Sequence, residues 1–395
     1  MTVINAHAKR LSAALTAAAL IALAACGSDD TESDDSSPDE SAAPSAAAVD
    51  GFPVGEPFGD AEWSVEVSLP STGATVKMRD SAVKVRGDRV IAEYEETDGR
   101  GVIAFDASGE EVWKQEVSES ARIGVLEETV AVLEQGTEEG SGLEKDQSTT
   151  TLTLLSLKDG STVTESDEPD LSLGNSITEF GEIVTLGEPR KYITEDGDVR
   201  EAEEYPEDLA KAIPDLEDGL AEIVPLDSGI DELDDAFAVE VRAISRQQNV
   251  ALLQVAYGGA EWATYAVEAE SGEVITKLDC RNAEHTDSDT NVAYSSPNGE
   301  YGVMESYWIS EDDVRCYAGD EETKGVEFSA VDDDGTAYGV TSESDSTEGE
   351  LAVVTADGEA DVSALPDGAP APLGIADGGM AIHVKGNTIT GNPIK

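Results

Sequence analysis

The stretch VIAFDASGEEVWKQEV, Val102 to Val117, reads as an apolar strand, a polar turn around Gly109, and a second strand that opens at Trp113. Weaker copies recur in TLLSLKDGSTVTES, TYAVEAESGEVITKL and LAVVTADGEADVSAL. A catalytic site is seldom repeated within one chain, whereas structural units often are. The stretch therefore predicts a β-hairpin that is built several times.

A second pattern, a polar turn followed by a short hydrophobic strand, alternates with this hairpin. It begins at Gly87, Glu127, Gly181, Gln248, Asn298, Asp334 and Gly378. The hairpin turn glycines follow in alternation at Gly109, Gly160, Gly197, Gly272, Gly319, Gly358 and Gly391. Each of the seven pairs has roughly 48 residues, which is within the range of a four-stranded propeller blade. Residues 59–395 are therefore predicted to form an all-β domain, a single seven-bladed β-propeller.

The hairpin resembles the repeat of the pyrroloquinoline-quinone-type propellers in its Ala104, Asp106, Gly109 and Trp113. SSPNGEYGV, which starts at Ser295, resembles the turn of WD-repeat and TolB-like propellers. Later copies of the hairpin have valine or isoleucine in place of the tryptophan. Glycine suits such turns because it accepts positive φ, and aspartate because its side chain accepts hydrogen bonds from nearby amides. The resemblance implies the propeller architecture.

The two chain ends are predicted to share one blade. The chain stops at GNTITGNPIK after a third strand, and AEWSVEVSL, residues 61–69, matches EVWKQEVSE in its tryptophan and its alternation. Trp63 should therefore occupy the position of Trp113, one blade away in the ring. The alternative is an isolated N-terminal edge strand, which would leave unpaired backbone groups exposed.

Residues 1–25 have the features of a secretory signal peptide. Lys9 and Arg10 precede an uncharged run of small residues that is too short to span a bilayer as a permanent helix. The run ends in LAACGS, which resembles a bacterial lipobox. That resemblance implies that Cys26 is lipidated and becomes the first mature residue; the alternative is an ordinary signal peptide followed by a chance cysteine. The expected location is the extracytoplasmic side of the cell membrane.

Residues 26–58 are predicted to form a disordered acidic tether, because GSDDTESDDSSPDESAAPSAAAVD, which follows Cys26, has eight acids, no basic residue and almost no bulky apolar group. The whole chain carries 85 Asp and Glu against 24 Lys and Arg, a formal net charge of -61. Such a chain repels nucleic acids and anionic lipid surfaces. We therefore expect no nucleic-acid partner, and membrane attachment only through the lipid anchor. A monomer is expected.

Strand counting assigns the loops to two faces of the ring. The connections between strands 2 and 3 and between successive blades emerge at one end, here called the upper face. It should carry the two longest insertions, EQGTEEGSGLEKDQST after Leu133 and residues 203–235. Trp262 and Trp308 are placed there as candidates for stacking on a ligand, with packing at the rim as the commoner role of such residues. Long insertions on one face of a repeat protein often bind a protein partner or a small ligand. The alternative, left equally open, is that these insertions are acidic, solvent-exposed loops without a binding role.

The two cysteines of the domain are predicted to form a disulfide. Cys280 is placed at the end of the fourth strand of blade four and Cys316 at the start of the third strand of blade five, both near the upper face. An exported compartment permits the bond. Closing this loop would contribute about 4 kcal/mol in the chain-entropy model.

Catalytic signals are weak. His383 lies within the apolar strand MAIHVKG, which favours a structural role. His285 opens HTDSDTN, a further candidate at the upper face, but that segment lacks the glycine and the glutamate that a calcium loop requires. DDDG at Asp332 is explained as a turn. We therefore expect no catalytic residues, no metal site and no cofactor.

Three classes of function remain. The sequence favours a lipid-anchored, non-catalytic binding or assembly scaffold. The first alternative is an exported quinoprotein-like dehydrogenase, although a cationic quinone pocket is hard to build from so few Lys and Arg. The second alternative is an extracytoplasmic sensor or ligand-binding module.

Overall fold

The structure, a computed structural model, divides the chain into two units, Met1–Ala47 and Ala48–Lys395. It describes residues 51–70, 82–97, 99–126, 128–138, 147–167, 177–180, 183–186, 191–193, 199–201, 236–245, 247–257, 261–269, 271–278, 280, 293–319, 323–342 and 349–395. The predicted signal peptide, Cys26 and most of the predicted tether lie outside these residues.

Every regular element among the described residues is a β-strand, as the alternating pattern predicted. In chain order the strands are β1 Trp63–Glu66, β2 Val83–Arg86, β3 Arg89–Glu96, β4 Gly99–Asp106, β5 Glu111–Val117, β6 Arg122–Val125, β7 Thr129–Glu138, β8 Gln147–Ser156, β9 Thr162–Asp167, β10 Ile177–Phe180, β11 Ile183–Leu186, β12 Lys191–Ile193, β13 Val199–Glu201, β14 Ala236–Ser245, β15 Val250–Tyr257, β16 Glu261–Glu268, β17 Val274–Leu278, β18 Ala293–Ser295, β19 Tyr301–Met304, β20 Tyr307–Ser310, β21 Val314–Cys316, β22 Gly325–Val331, β23 Ala337–Ser342, β24 Glu350–Val354, β25 Ala360–Ala364, β26 Gly374–Ala376, β27 Met380–Lys385 and β28 Thr388–Pro393.

These strands form seven four-stranded antiparallel sheets among the described residues. Sheet 1 contains β2 to β5, sheet 2 β6 to β9, sheet 3 β10 to β13, sheet 4 β14 to β17, sheet 5 β18 to β21 and sheet 6 β22 to β25, each in chain order. Sheet 7 contains β26, β27 and β28, with β1 added beside β28. Within each of the first six sheets, successive strands are therefore joined as simple hairpins.

Each sheet packs against the next one along the chain. Buried apolar clusters join sheets 1 and 2, 4 and 5, 5 and 6, and 6 and 7, and the first strands of sheets 2, 3 and 4 contact one another in turn. A further cluster joins sheet 7 back to sheet 1. Four-stranded antiparallel sheets packed in this cyclic order are the β-propeller architecture, so the predicted all-β propeller fold is confirmed.

The polar turn that opens each repeat lies between the first and second strands wherever it is described, for example at Gly87 and Gly378. The hairpin glycines Gly109, Gly160, Gly272 and Gly358 lie between the third and fourth strands with positive φ. Gly197 lies outside the described residues.

Two hairpin assignments are wrong. Gly319 follows β21 instead of preceding it, because sheet 5 has shorter strands and closes its last hairpin with residues 311–313. Gly391 lies inside β28, where a Cβ atom would come within 2.2 Å of Trp63. The glycine at this position therefore makes room for an indole ring and forms no turn.

Side chains on the outer strands of sheets 1 and 5 bind a turn of the next sheet. The indole N–H of Trp113 on β5 donates to the Leu157 carbonyl at 2.9 Å. Arg315 on β21 makes the same kind of bond to the Ala356 carbonyl at 2.6 Å. Since both acceptors lie in the turn between the third and fourth strands, these bonds hold that turn in place.

Trp63 repeats this arrangement at the chain ends. Its strand β1 pairs with β28, with Trp63 opposite Gly391, and its indole N–H donates to the Ala107 carbonyl of sheet 1 at 2.8 Å. A Cβ atom on Gly109 would lie 2.6 Å from the Trp63 ring, as one on Gly160 would lie 2.8 Å from Trp113. Trp63 and Trp113 thus make equivalent contacts in successive sheets.

The packed region begins before residue 59. Phe58, assigned to the tether from the sequence, is 2% exposed and its ring lies 5.3 Å from that of Tyr338 and 4.8 Å from that of His383. The boundary at residue 58 is therefore too late, because one aromatic ring in an acidic segment was enough to fill the junction of sheets 6 and 7.

The predicted disulfide between Cys280 and Cys316 is present, with its Cα atoms 5.9 Å apart. Cys316 ends the fourth strand of sheet 5, however, and does not start the third. The predicted face is unaffected, because both cysteines follow the upper ends of outer strands. The bond therefore joins sheets 4 and 5 at the upper face.

Both ends of the first predicted insertion are strand, and residues 139–146 lie outside the described residues. β7 continues to Glu138 and β8 starts at Gln147, with these two residues paired, so the insertion extends a hairpin. The second insertion, residues 203–235, lies outside the described residues. No helix in the described part of the chain has the length and apolar character needed to cross a membrane.

Removing the Trp63 ring should destabilise the domain as much as removing the Trp113 ring. We expect Trp63→Ala and Trp113→Ala each to lower the free energy of unfolding by about 3 to 5 kcal/mol, because both delete a buried indole and its hydrogen bond. Urea unfolding of the two variants and the parent measures this. A Trp63→Ala variant as stable as the parent would contradict the structural role assigned to β1.

Candidate functional site

The described residues line a solvent-open cavity of about 540 Å³ at the lower face, which carries the connections between strands 1 and 2 and between strands 3 and 4. Its walls come from sheets 1, 2, 4 and 5, in particular from the segments 86–89, 156–158 and 295–297 together with Glu128 and Gln247. Because these sheets lie on different sides of the ring, the cavity lies over its axis. Its volume is typical of a small-molecule site.

One side of the cavity is formed by a two-residue turn. Arg86 ends β2 and Arg89 starts β3, and the two residues pair directly across Gly87 and Asp88. Gly87 has a φ of 53°, which a two-residue hairpin requires and glycine adopts without strain. Residues directly opposite each other in an antiparallel pair lie on the same face of the sheet. The RGDR sequence therefore presents two arginines side by side.

Sheet 2 supplies a third cation. Arg89 forms an ion pair with Asp88 and donates from Nη2 to the Lys158 carbonyl at 3.4 Å. Lys158 follows Leu157, whose carbonyl accepts the indole N–H of Trp113. The contact that holds sheet 1 on sheet 2 thus also places Lys158 at the cavity.

The opposite wall is polar and uncharged. Gln247 precedes β15, and Ser295, Ser296 and Pro297 form the turn after β18. The Ser296 hydroxyl donates to the Asn298 side chain at 2.7 Å and accepts from the Tyr301 amide at 3.1 Å. These bonds hold the serine turn in one conformation at the rim of the cavity.

The electrostatics of the cavity differ from those of the chain as a whole. Its charged wall residues are Arg86, Arg89 and Lys158 against Asp88 and Glu128. This wall therefore has one surplus positive charge in a protein of net charge -61. Folding brings scarce cations from separate turns together, with a surplus of a single charge.

A carboxylate lies close to this site. Asp377, in the turn between β26 and β27, donates its backbone amide to the Gly87 carbonyl at 3.3 Å. Burial raises the pKa of Asp377, and the carboxylates of Asp88 and Asp333 raise it further. The carboxylates of Asp88 and Asp377 therefore lie close to the arginine turn.

Trp308 does not belong to a ligand-binding face. Its side chain is 3% exposed between sheets 5 and 6, and its indole N–H donates to the Gly335 carbonyl at 2.9 Å. The Arg315 guanidinium lies 4.7 Å from the ring. The sequence pattern places Trp308 near a strand start but cannot show that a neighbouring sheet covers it.

The other predicted candidates are not brought together by the described residues. Trp262 is the second residue of β16 and pairs with Ala256, at the upper end of sheet 4. His285 lies outside the described residues. Among those residues, no group of three or more His, Cys, Asp or Glu is placed to hold a metal ion.

The aspartates of the repeat motif have structural contacts. Burial alone would raise the pKa of Asp106, but hydrogen bonds from Ser108 and Glu110 outweigh it and hold the pKa below its usual value. Asp332 accepts the Asp334 and Thr336 amides and the Tyr338 hydroxyl, while burial raises its pKa. Both aspartates therefore stabilise turns, as the sequence predicted for DDDG.

The sequence analysis missed the arginine turn. RGDR was seen only as the start of a repeat, although two of the 24 Lys and Arg lie within its four residues. That local concentration of scarce cations was the signal that could have identified it. Lys158, Gln247 and Ser295 carried no comparable signal, because only the packing of the sheets places Lys158 beside Arg89 and the other two on the opposite wall.

Comparison with known proteins adds no family. No protein-family model matches the chain, and no curated protein matches it. Among solved structures, streptogramin B lyase is similar over 84% of this chain and 98% of its own, with 13% identity and a TM-score of 0.39.

Two further solved structures are similar. The β-propeller domain of the trilobed protease from Pyrococcus furiosus covers 77% of this chain and 90% of its own, at 14% identity and a TM-score of 0.39. TolB from Acinetobacter baumannii covers 74% and 67%, at 12% identity and a TM-score of 0.32. With scores this low, function has to be argued from the residues of this chain.

His383 is a buried structural residue, as its strand context predicted. It is 0% exposed, its ring packs edge-on to Phe58, and neither ring nitrogen has a hydrogen-bond partner among the described residues. Burial lowers the pKa of His383 to about 4, although the nearby Ala381 backbone and Asn392 side chain favour the charged form. His383 is therefore neutral in the folded protein at neutral pH.

This burial makes stability depend on pH. Between pH 6.5 and 4 the unfolded chain protonates His383 and the folded chain does not, so stability falls as the pH is lowered. A His383→Phe variant lacks this loss, and its stability relative to the parent should rise by roughly 2 to 3 kcal/mol from pH 7.5 to pH 4.5. Urea unfolding at both pH values measures the difference. Equal pH dependence in the two proteins would show that His383 is protonated when folded.

Proposed function

We propose that this protein is a lipid-anchored β-propeller that binds a small ligand, without catalysis, at the extracytoplasmic side of the cell membrane. The observation that carries the proposal is the lower-face cavity, with polar and charged side chains from four sheets around one volume of about 540 Å³. A rigid ring that converges such groups on a concave site is suited to recognition. The ligand is thus assigned to the lower face and not to the upper face predicted from insertion lengths.

The sequence supports the anchor. Lys9 and Arg10, the uncharged run and LAACGS together resemble the leader of a bacterial lipoprotein. The acidic segment after Cys26 would keep the propeller soluble while tethering it near the membrane. A net charge of -61 gives the folded domain no electrostatic attraction to anionic lipids, so attachment depends on the lipid.

Cys26→Ser should move the protein out of the membrane fraction or leave it unprocessed, because serine has no thiol to acylate. Membrane fractionation, with mass spectrometry of the mature N-terminus, measures both outcomes. Ser28→Ala is the matched control, since it alters the same segment and keeps the thiol. A Cys26→Ser protein that is cut normally and stays in the membrane would refute the anchor.

One observation favours a second candidate, the exported quinoprotein-like dehydrogenase. Arg86, Arg89 and Lys158 line the cavity, and the carboxylates of a quinone cofactor require cationic partners. The fit is incomplete, because the described residues offer no cluster for a calcium ion. The cations alone therefore support only the binding of an acidic molecule.

Addition of pyrroloquinoline quinone and calcium to the purified protein should give no reduction of an electron-accepting dye with primary alcohols or aldose sugars. The reason is that the site has partners for carboxylates but none among the described residues for the metal. Dye reduction that requires both additions would establish the dehydrogenase instead.

A further inference from the structure

We propose that the lower-face cavity binds the oxyanion group of a small molecule, a carboxylate or a phosphate, through Arg86 with Arg89 and Lys158 beside it. This inference rests on the proposed binding function and specifies the chemistry of its ligand.

Arg86 is a half-buried cation without a carboxylate partner among the described residues. Its Nη1 donates to the carbonyl of the preceding residue, Val85, at 3.1 Å. Its Nη2 is buried and has no hydrogen-bond partner there. A buried charge that lacks a partner is costly, and an anion in the cavity would offset that cost. Because the guanidinium charge is delocalised, the anion need not contact every nitrogen.

The pairing of Arg86 with Arg89 adds to this cost. Like charges directly opposite each other on antiparallel strands destabilise a hairpin. Asp88 neutralises Arg89 through their ion pair, which leaves Arg86 uncompensated. The Nε atom of Arg89 is also buried without a hydrogen-bond partner among the described residues. An oxyanion beside the turn would supply acceptors to both guanidinium groups, which suit the geometry of carboxylate and phosphate oxygens.

The surroundings of the cavity select for small anions. Asp88 and Glu128 belong to its wall, and Asp377 lies against the arginine turn. An extended polyanion would meet these carboxylates and the field of a chain with net charge -61. A small ligand instead reaches Arg86 within the cavity, and at physiological salt repulsion from more distant charges is screened beyond about 8 Å. The cavity thus fits a compact acid.

Isothermal titration of the full chain, purified in detergent at fixed ionic strength, tests this with three probes. Inorganic phosphate represents phosphate ligands, citrate represents carboxylate ligands, and glycerol is the uncharged control. We expect saturable binding of phosphate, of citrate or of both, and none of glycerol. Saturation by phosphate alone or by citrate alone identifies the preferred oxyanion. The absence of saturable binding for both anions would overturn the proposal.

Variants locate the binding. Arg86→Gln should weaken the affinity for the bound anion at least about tenfold, the usual loss when a charged hydrogen-bonding group is removed. The matched control is Arg122→Gln, which removes an exposed arginine at the upper end of β6 and should leave the affinity unchanged. Equal affinities in Arg86→Gln and the parent, or equal losses in the two variants, would refute the assignment to this cavity.

A conservative variant keeps the test decisive if Arg86→Gln does not fold. Arg86→Lys retains the positive charge but loses the forked pair of donors, so binding should weaken several-fold. Parental affinity in Arg86→Lys would contradict a role for the guanidinium group. None of these outcomes depends on Cys26, so a failure here leaves the membrane assignment standing, and release of Cys26→Ser from the membrane is measured separately.

Discussion

The structure depends on covering both faces of every four-stranded sheet. A small antiparallel sheet with apolar side chains on its faces is not stable alone, and buried clusters among the described residues join sheets 1 and 2, 5 and 6, 6 and 7, and 7 and 1. Every sheet can have a neighbour on both faces only if the last sheet in the chain packs against the first. β1 meets this condition by completing sheet 7, where Trp63 bonds to sheet 1 as Trp113 bonds to sheet 2.

The candidate site follows from the same packing. Segments of sheets 1, 2, 4 and 5 line one cavity, so turns that are distant in sequence meet there. The turn of sheet 1 supplies Arg86 and Arg89, and the last hairpin of sheet 2, held by Trp113, supplies Lys158. Across the axis, Gln247 and Ser295 complete the wall. A surplus of positive charge thus forms within a strongly acidic protein.

Sequence analysis predicted the architecture well wherever the signal was local. Gly109 and Gly160 were identified as turn residues because positive φ has a clear residue preference, and Trp63 was matched to Trp113 by composition and alternation. Gly391 was misassigned because a glycine has the same appearance in a sequence whether it provides a turn or makes room for an indole, and Gly319 because the strands of sheet 5 are shorter than the repeat pattern indicated. Trp308 was placed at a ligand face because burial by a neighbouring sheet leaves no local signal.

The sequence by itself determined the strand pattern, the repeat of turn and hairpin, the match between the chain ends, and the candidate disulfide. These features depend on side-chain periodicity and backbone preference, which act over a few residues. Only the tertiary structure decided that Arg86, Lys158 and Ser295 surround one cavity and that Arg86 remains without a carboxylate partner among the described residues. The physical reason is that charge balance at the ring axis depends on which turns converge there, and that is settled by the packing of whole sheets.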